Sequence, residues 1–400
     1  MADDPSRRDF LAALGALSAA PLIPPHRDAA STRGDFAFLP GLIFLQTGSL
    51  GPTPRPVMER TIAAWRELER DPVANGYGRL ERAMDEVRAQ AATFIGCATG
   101  ELVLTNCTTE GMNWTAQGMQ LVAGDRILTT DQEHPGGRAC WDYVVRRSGV
   151  ELDVVAIPPG ENDARAIVDR FAQAVTPRTR AFSFSHVLSS TGLRMPVAEL
   201  SALARSRGCI AVVDGAQAVG GIAVDVKALG CHVYATSGHK WLLGPKGTGL
   251  LYLSEDVANR VDPIALQGGR SAYSNSSGVS SIPSILGLGA ALEYISAIGI
   301  REIERHNLAL RDRLYHALQD VPKLRVVSPP PGPLASPLLT YTLPDAIDSA
   351  TFQKLIRTKY RIELKVVPKT WLNGNRVSTH LFNSGRDVDA LVAALKHELA

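Results

Sequence analysis

Ile210-Ala211-Val212-Val213-Asp214-Gly215-Ala216-Gln217, followed by Tyr234-Ala235-Thr236-Ser237-Gly238-His239-Lys240-Trp241, decides how this chain folds. Each stretch opens as a short apolar run and stops abruptly at small and polar residues. That is the pattern of a strand buried on both faces of a parallel sheet. Strands are therefore expected over residues 210–213 and 234–236, and similar runs predict others over 102–105, 126–130, 181–185 and 249–253. Amphipathic stretches between them predict helices over 110–120, 137–147, 164–174 and 197–206. Such alternation is the signature of an α/β unit, a mostly parallel sheet with helices on both faces.

Beyond about residue 265 the text changes. Long helices are expected over 284–297 and 301–320, then a proline-rich break over 322–337, short strands and an amphipathic ending over 387–399. This predicts a second, smaller α+β domain. The division expected is a leader and linker over 1–30, an arm over 31–60, a large domain over 61–283 and a small domain over 284–400.

Composition removes several classes of function. A net charge of +2, from 42 basic and 40 acidic residues, provides no field that would collect nucleic acid, and no basic stripe is interleaved with aromatics. The five cysteines, Cys97, Cys107, Cys140, Cys209 and Cys231, lack metal-ligand spacing and are odd in number, so neither zinc nor a disulfide framework is suggested. Near the start, Ser6-Arg7-Arg8-Asp9-Phe10-Leu11 leads into a weakly apolar stretch too short to span a bilayer comfortably. That order resembles a twin-arginine export signal, with a basic amphipathic helix as the competing reading. It predicts a periplasmic or secreted protein, handled by the twin-arginine machinery, without stable membrane insertion.

In open α/β sheets ligands gather beyond the carboxyl ends of the strands. Here those ends read Asn106-Cys107-Thr108-Thr109-Glu110-Gly111, Asp131-Gln132-Glu133-His134-Pro135, His186 to Gly192 with Ser189, Asp214 to Gln217, and Ser237 to Trp241. The first places hydroxyls and backbone amides at a helix start, a natural seat for phosphate. Taken singly, Asp214 is also an ordinary turn residue, Lys240 or Lys246 an ordinary solvated lysine, His134 a turn residue before Pro135, and Arg376 a surface ion-pair partner. Five consecutive strand ends with compatible chemistry argue jointly for a site. Gly244-Pro245-Lys246-Gly247-Thr248-Gly249 is no nucleotide loop, since it lacks the Gly-Lys-Ser/Thr ending and leads into a strand. A nicotinamide dehydrogenase is disfavoured because no early strand is followed by GxGxxG.

The acid three residues before Gln217, and the lysine after Ser237-Gly238-His239, resemble the class V aminotransferase family of fold-type I enzymes that use pyridoxal 5'-phosphate (PLP). Within it the likeness is to isopenicillin N epimerase-like proteins and an exported, pyoverdine-maturation-like subgroup. The resemblance implies a mostly parallel seven-stranded-type sheet and a PLP Schiff base on Lys240, which would also carry the substrate Cα proton. Asp214 would pair with the pyridine nitrogen, Gln217 with the phenolic oxygen beside Ser189, and His134 would stack on the ring. Thr108, Thr109, Ser237 and His239 would hold the phosphate. Asn375-Arg376-Val377-Ser378 resembles the family segment whose arginine binds the substrate carboxylate.

Two departures accompany the likeness. Val279 stands where many relatives carry a threonine that reaches the partner subunit's phosphate, so Ser280 is the candidate to replace it in a homodimer; Tyr77, Arg79 and residues 267–281 are expected near that partner. No cysteine follows Cys231, which disfavours a persulfide mechanism of the cysteine desulfurase kind. The family implies an aminotransferase or epimerase acting on an amino acid or peptide natural product. A carbon-sulfur or other β-lyase is the alternative, and a non-catalytic PLP-fold binding protein a further one.

Overall fold

The computed structural model describes residues 29–400, so the Arg7-Arg8 segment lies outside the described residues. In chain order the elements are β1 (Ile43–Phe44), α1 (Arg55–Leu68), α2 (Leu80–Ile95), β2 (Leu102–Thr105), α3 (Thr108–Gly118), β3 (Arg126–Thr130), α4 (Pro135–Ser148) and β4 (Glu151–Val155). Next come α5 (Ala164–Ala174), β5 (Thr179–Ser185), α6 (Val197–Ser206), β6 (Ile210–Asp214), β7 (Val233–Ser237) and β8 (Gly249–Leu253).

Strands β2 to β8 form one sheet in the order β2-β8-β7-β6-β5-β3-β4. Every pair is parallel except those of β8, which runs antiparallel to both β2 and β7. A parallel neighbour needs a long crossover, whereas the short turn after β7 can only return the chain antiparallel. Lys240 lies in that turn. The central strands β6, β7 and β8 are buried along their whole length, which is why they read as near-continuous apolar runs. One face packs Leu128, Phe182, Phe184 and Val213 against α5 and α6 residues such as Phe171 and Leu200. The other packs Ile127, Ala181, Val212 and Leu251 around Trp141 of α4.

Strand β4 was not anticipated. It lies at the sheet edge and alternates polar and apolar residues, with Glu151 and Asp153 both paired to Arg126 of β3. The helix expected over 110–120 begins two residues earlier, at Thr108, which brings both threonines into its first turn.

The remainder comprises α7 (Ile282–Ile298), α8 (Ile300–Leu318), β9 (Arg325–Val326), β10 (Leu338–Thr342), α9 (Ser349–Tyr360), β11 (Ile362–Glu363), β12 (Lys365–Val367), β13 (Gly374–Ser378) and α10 (Gly385–Leu399). Strand β9 falls inside the expected proline-rich break. An antiparallel sheet runs β12-β13-β10-β9, with a core of Leu314, Tyr341, Ile356, Val377 and Leu391 beneath it. The expected arm is divided in two. Its residues 43–44 pair in parallel with β11, and Gln46 bridges to Ser378, so this stretch joins the small domain. From Arg55 onward it is helix. Helix α7 is apolar on nearly all sides because it packs against α1, α2 and α8. Among the described residues no single helix is long and apolar enough to cross a membrane; α7 and α8 pass that test only as a pair bent by 75°.

Candidate active site

The carboxyl ends of β3, β5, β6 and β7 and the amino end of α3 meet the small-domain strands β12 and β13 around a cavity of about 750 Å³. Thr108, Thr109, His134, Ser189, Asp214, Gln217, Ser237, His239, Lys240 and Arg376 all line it. Ser280 does not; it lies with Asn106, Glu110 and Gly247 in a separate crevice of this chain, and beside Tyr77 and Tyr273 in another.

Asp214 ends β6 and is buried. Its Oδ1 accepts the Ala216 N–H at 2.9 Å, a geometry set by the Gly215 turn. Its Oδ2 faces Gly137, where a Cβ would stand 2.5 Å away, so glycine keeps that approach open. Burial pushes the carboxyl above its ordinary range, while the Ala216 N–H and the Lys240 ammonium act in the opposite direction. Burial likewise lowers the Lys240 ammonium to about 8, against the pull of Asp214 and with Arg376 and Lys365 adding to the decrease. A lysine so placed is partly neutral near neutral pH, as a nucleophile or proton carrier requires.

The turn holding Lys240 is fastened by three hydrogen bonds, two to Gly51 and one to His380. Gly51 N–H donates to His239 O at 2.8 Å, Lys246 Nζ donates to Gly51 O at 2.8 Å, and His380 Nε2 donates to Trp241 O at 2.9 Å. A Cβ on Gly51 would lie 2.0 Å from Lys240 O, so only glycine allows this crossing. Leu243 holds φ 60°, a left-handed value costly for a non-glycine residue, and marks how tightly the turn is wound.

At one end of the cavity the Thr108 N–H donates to Ser237 Oγ at 3.0 Å, and the two hydroxyls lie 2.7 Å apart. The amino terminus of α3, these hydroxyls and Thr109 make an anion seat. His239 is kept neutral by burial, and its Nδ1 is buried without a partner. His134 caps α4, its Nδ1 accepting the Gly136 N–H at 3.0 Å, which places any proton of the neutral ring on Nε2. Burial first, then the charges of Lys240, Arg376 and Lys365, depress it to about 4. Gln217 donates from Nε2 to Gly48 O at 2.8 Å and accepts the Trp241 Nε1 proton at 3.0 Å, so its amide is oriented from both ends.

Arg376 is buried on β13. Its Nη1 donates to Ser189 O at 2.6 Å and its Nη2 to Ser49 Oγ at 3.4 Å, while Nε has no partner. Burial lowers the guanidinium to about 10, leaving it charged at neutral pH. With no carboxylate against it among the described residues, this buried cation is built to receive an anion.

Sequence reasoning missed several contributors. Gly48 and Ser49 reach the site from the N-terminal segment, Lys365 and Trp371 from the small domain, and Ser185 from β5. Glu133, quoted with its strand end but given no role, turns away from His134. It accepts from Ser185 Oγ and Thr130 Oγ1, each at 2.6 Å, and burial pushes it up to about 7. Among the five cysteines Cys107 alone lines the cavity, at the anion-seat end.

Residues 44–391 match the family model described as Aminotransferase class-V. The chain is 30% identical over 388 residues to the isopenicillin N epimerase of Streptomyces clavuligerus, covering 92% of this chain and 98% of that one. It is 31% identical over 307 residues to a probable cysteine desulfurase of Methanothermobacter thermautotrophicus, covering 72% and 75% respectively. A solved structure of a C-DES point mutant, with glycine covalently linked to its PLP cofactor, aligns with a TM-score of 0.81 at 23% identity, covering 91% of this chain and 98% of that one.

Proposed function

The chain belongs to the aminotransferase class-V family and is a PLP-dependent enzyme; from that premise we propose that it acts at the Cα of an amino acid or amino-acid-containing natural product, as an aminotransferase or an epimerase. The observation that supports this most is the meeting of Lys240, Asp214 and Arg376 in one cavity, contributed by two domains.

The residues fit the cofactor. Asp214 Oδ2 makes no hydrogen bond among the described residues and faces an approach kept clear by Gly137, a place for a protonated ring nitrogen. The Thr108 and Ser237 hydroxyls, the α3 amino terminus and the unpartnered His239 Nδ1 would hold the phosphate. Lys240 Nζ would attach the aldehyde. When bound, PLP supplies an electron-withdrawing ring conjugated to the substrate amine, which acidifies the Cα proton. Lys240 Nζ would take up and return that proton, helped by its lowered pKa. Arg376 would bind the substrate carboxylate and so fix the substrate's orientation in the cavity that Lys240 lines. His134 stays neutral and covers the cavity without adding charge.

Epimerisation rests on likeness to the Streptomyces protein. A protein-persulfide step of the desulfurase kind is disfavoured because no cysteine follows Cys231 and Cys107 lies at the anion-seat end of the cavity, although a desulfurase relative 31% identical exists. We also read the protein as a homodimer, with Ser280 toward the partner's cofactor, and as exported by the twin-arginine route, a reading supported by Arg7-Arg8-Asp9-Phe10-Leu11.

Incubation of the holoenzyme with single enantiomers in deuterated water separates the reactions. Epimerase action yields Cα-deuterated product of both hands with an unchanged cofactor band. Transamination yields a keto acid and the pyridoxamine form, and β-elimination yields pyruvate-type products. Absence of Cα exchange with every amino acid tried, in protein carrying the cofactor, would overturn the assignment.

A further inference from the structure

Strand β12 lies beside β13 with Lys365 directly opposite Arg376 in the register, so both side chains share the face that lines the cavity. Like charges opposite one another across a ladder are unfavourable unless something between them is negative. Within the described residues the Lys365 side chain makes no hydrogen bond or ion pair, and Asp214 is the one carboxylate lining the cavity. Lys365 is exposed yet lines the cavity, and its charge adds to the lowering of His134 and Lys240 there.

One guanidinium serves one carboxylate. Arg376 already spends two nitrogens on Ser189 and Ser49, so a substrate with only an α-carboxylate leaves Lys365 uncompensated. Beyond Lys365 the wall continues as Val366, Val367 and Pro368, a surface suited to a short methylene chain. Resting on the function proposed above, we propose that Lys365 reads a second carboxylate, so the preferred substrate is an amino acid whose side chain ends in an acid. A lysine on a flexible stem recognises such a group as a point charge and tolerates some variation in reach.

The test uses the reconstituted holoenzyme and the shift of its visible cofactor band on titration, which reports binding rather than turnover. The probes are aspartate with asparagine, glutamate with glutamine, 2-aminoadipate with its ω-amide, and alanine. In the wild type at least one acid binds on the order of tenfold tighter than its amide, the ratio of one partly exposed charge-assisted hydrogen bond. Lys365→Met, which keeps the stem, brings that ratio to about one while alanine and the amides bind within about twofold of wild type; Lys365→Arg preserves the preference. No preference for any acid in the wild type, or a ratio unchanged in Lys365→Met, overturns the assignment of Lys365. A wild type that binds PLP but shows no band shift with any probe, alanine included, overturns instead the reading of the site on which it rests.

Discussion

Arg376 Nη1 reaches the Ser189 carbonyl at 2.6 Å across 187 residues of sequence, joining the small-domain sheet to the turn after β5. The side chain that would bind substrate is therefore also a structural link between the domains that form the cavity. An Arg-to-Lys change keeps the charge but loses the planar fork that can hold Ser189 and a carboxylate together. Arg376→Lys is expected to lower kcat/KM by about 100-fold, equivalent to about 3 kcal/mol. Most of the change should fall on KM, with the cofactor band unaltered. An unchanged KM would remove Arg376 from substrate binding.

Lys240 offers a pH signature in the cofactor-free protein. A lysine titrates at about 10.4 when unfolded and at about 8 here, so between those values the unfolded chain binds more protons and stability rises with pH. Below about 8 both forms are charged and the folded state carries the full cost of the buried ammonium. Lys240→Met apo-protein should exceed wild type by about 2 kcal/mol at pH 7, with the difference fading toward pH 10. Denaturant midpoints across that range check it; a pH-independent difference would contradict the assignment.

Glu133 should produce the opposite slope. Its carboxyl titrates at about 7 when folded and at about 4.3 when unfolded, so the folded state binds more protons between these values and stability falls as pH rises through them. Glu133→Gln is expected to flatten that fall while leaving low-pH stability close to wild type. Urea midpoints at pH 4, 6 and 8 would reveal an unchanged slope if the carboxyl is not the source.

Gly51 is a backbone constraint on the active-site turn. A methyl at 2.0 Å from Lys240 O forces the N-terminal segment off the turn and breaks the Gly51 N–H to His239 O bond. Gly51→Ala should cost about 3 kcal/mol and weaken PLP retention, measured by melting and by equilibrium dialysis. Ordinary retention with ordinary stability would show that the segment can shift freely.

How much of this was legible beforehand depends on distance along the chain. Asp214, Gln217, Ser237, His239 and Lys240 could be read because they end or follow within a few residues the buried strands β6 and β7, and a buried strand has a visible apolar pattern. Lys365 could not be read. It belongs to a three-residue strand with no periodicity, and only pairing with β13 turns it toward the cavity. Gly48 and Gly51 were equally silent, because a glycine required by the Gln217 and Arg376 side chains, or by the Lys240 carbonyl 189 positions away, looks like any other glycine in a loop. Edge strand β4 escaped because an exposed edge alternates like a solvated segment.

The order of apolar runs and the polar residues that end them determined, from the sequence alone, a mostly parallel α/β sheet with its chemistry at one rim. That information is local, because backbone geometry and burial act on consecutive residues. The return of β1 into the small domain, the cation pair of Lys365 and Arg376, and the fastening of the Lys240 turn by Gly51 and His380 were decided by tertiary structure. Each depends on segments far apart in the chain being brought within hydrogen-bond range, and only packing of the two domains supplies that proximity.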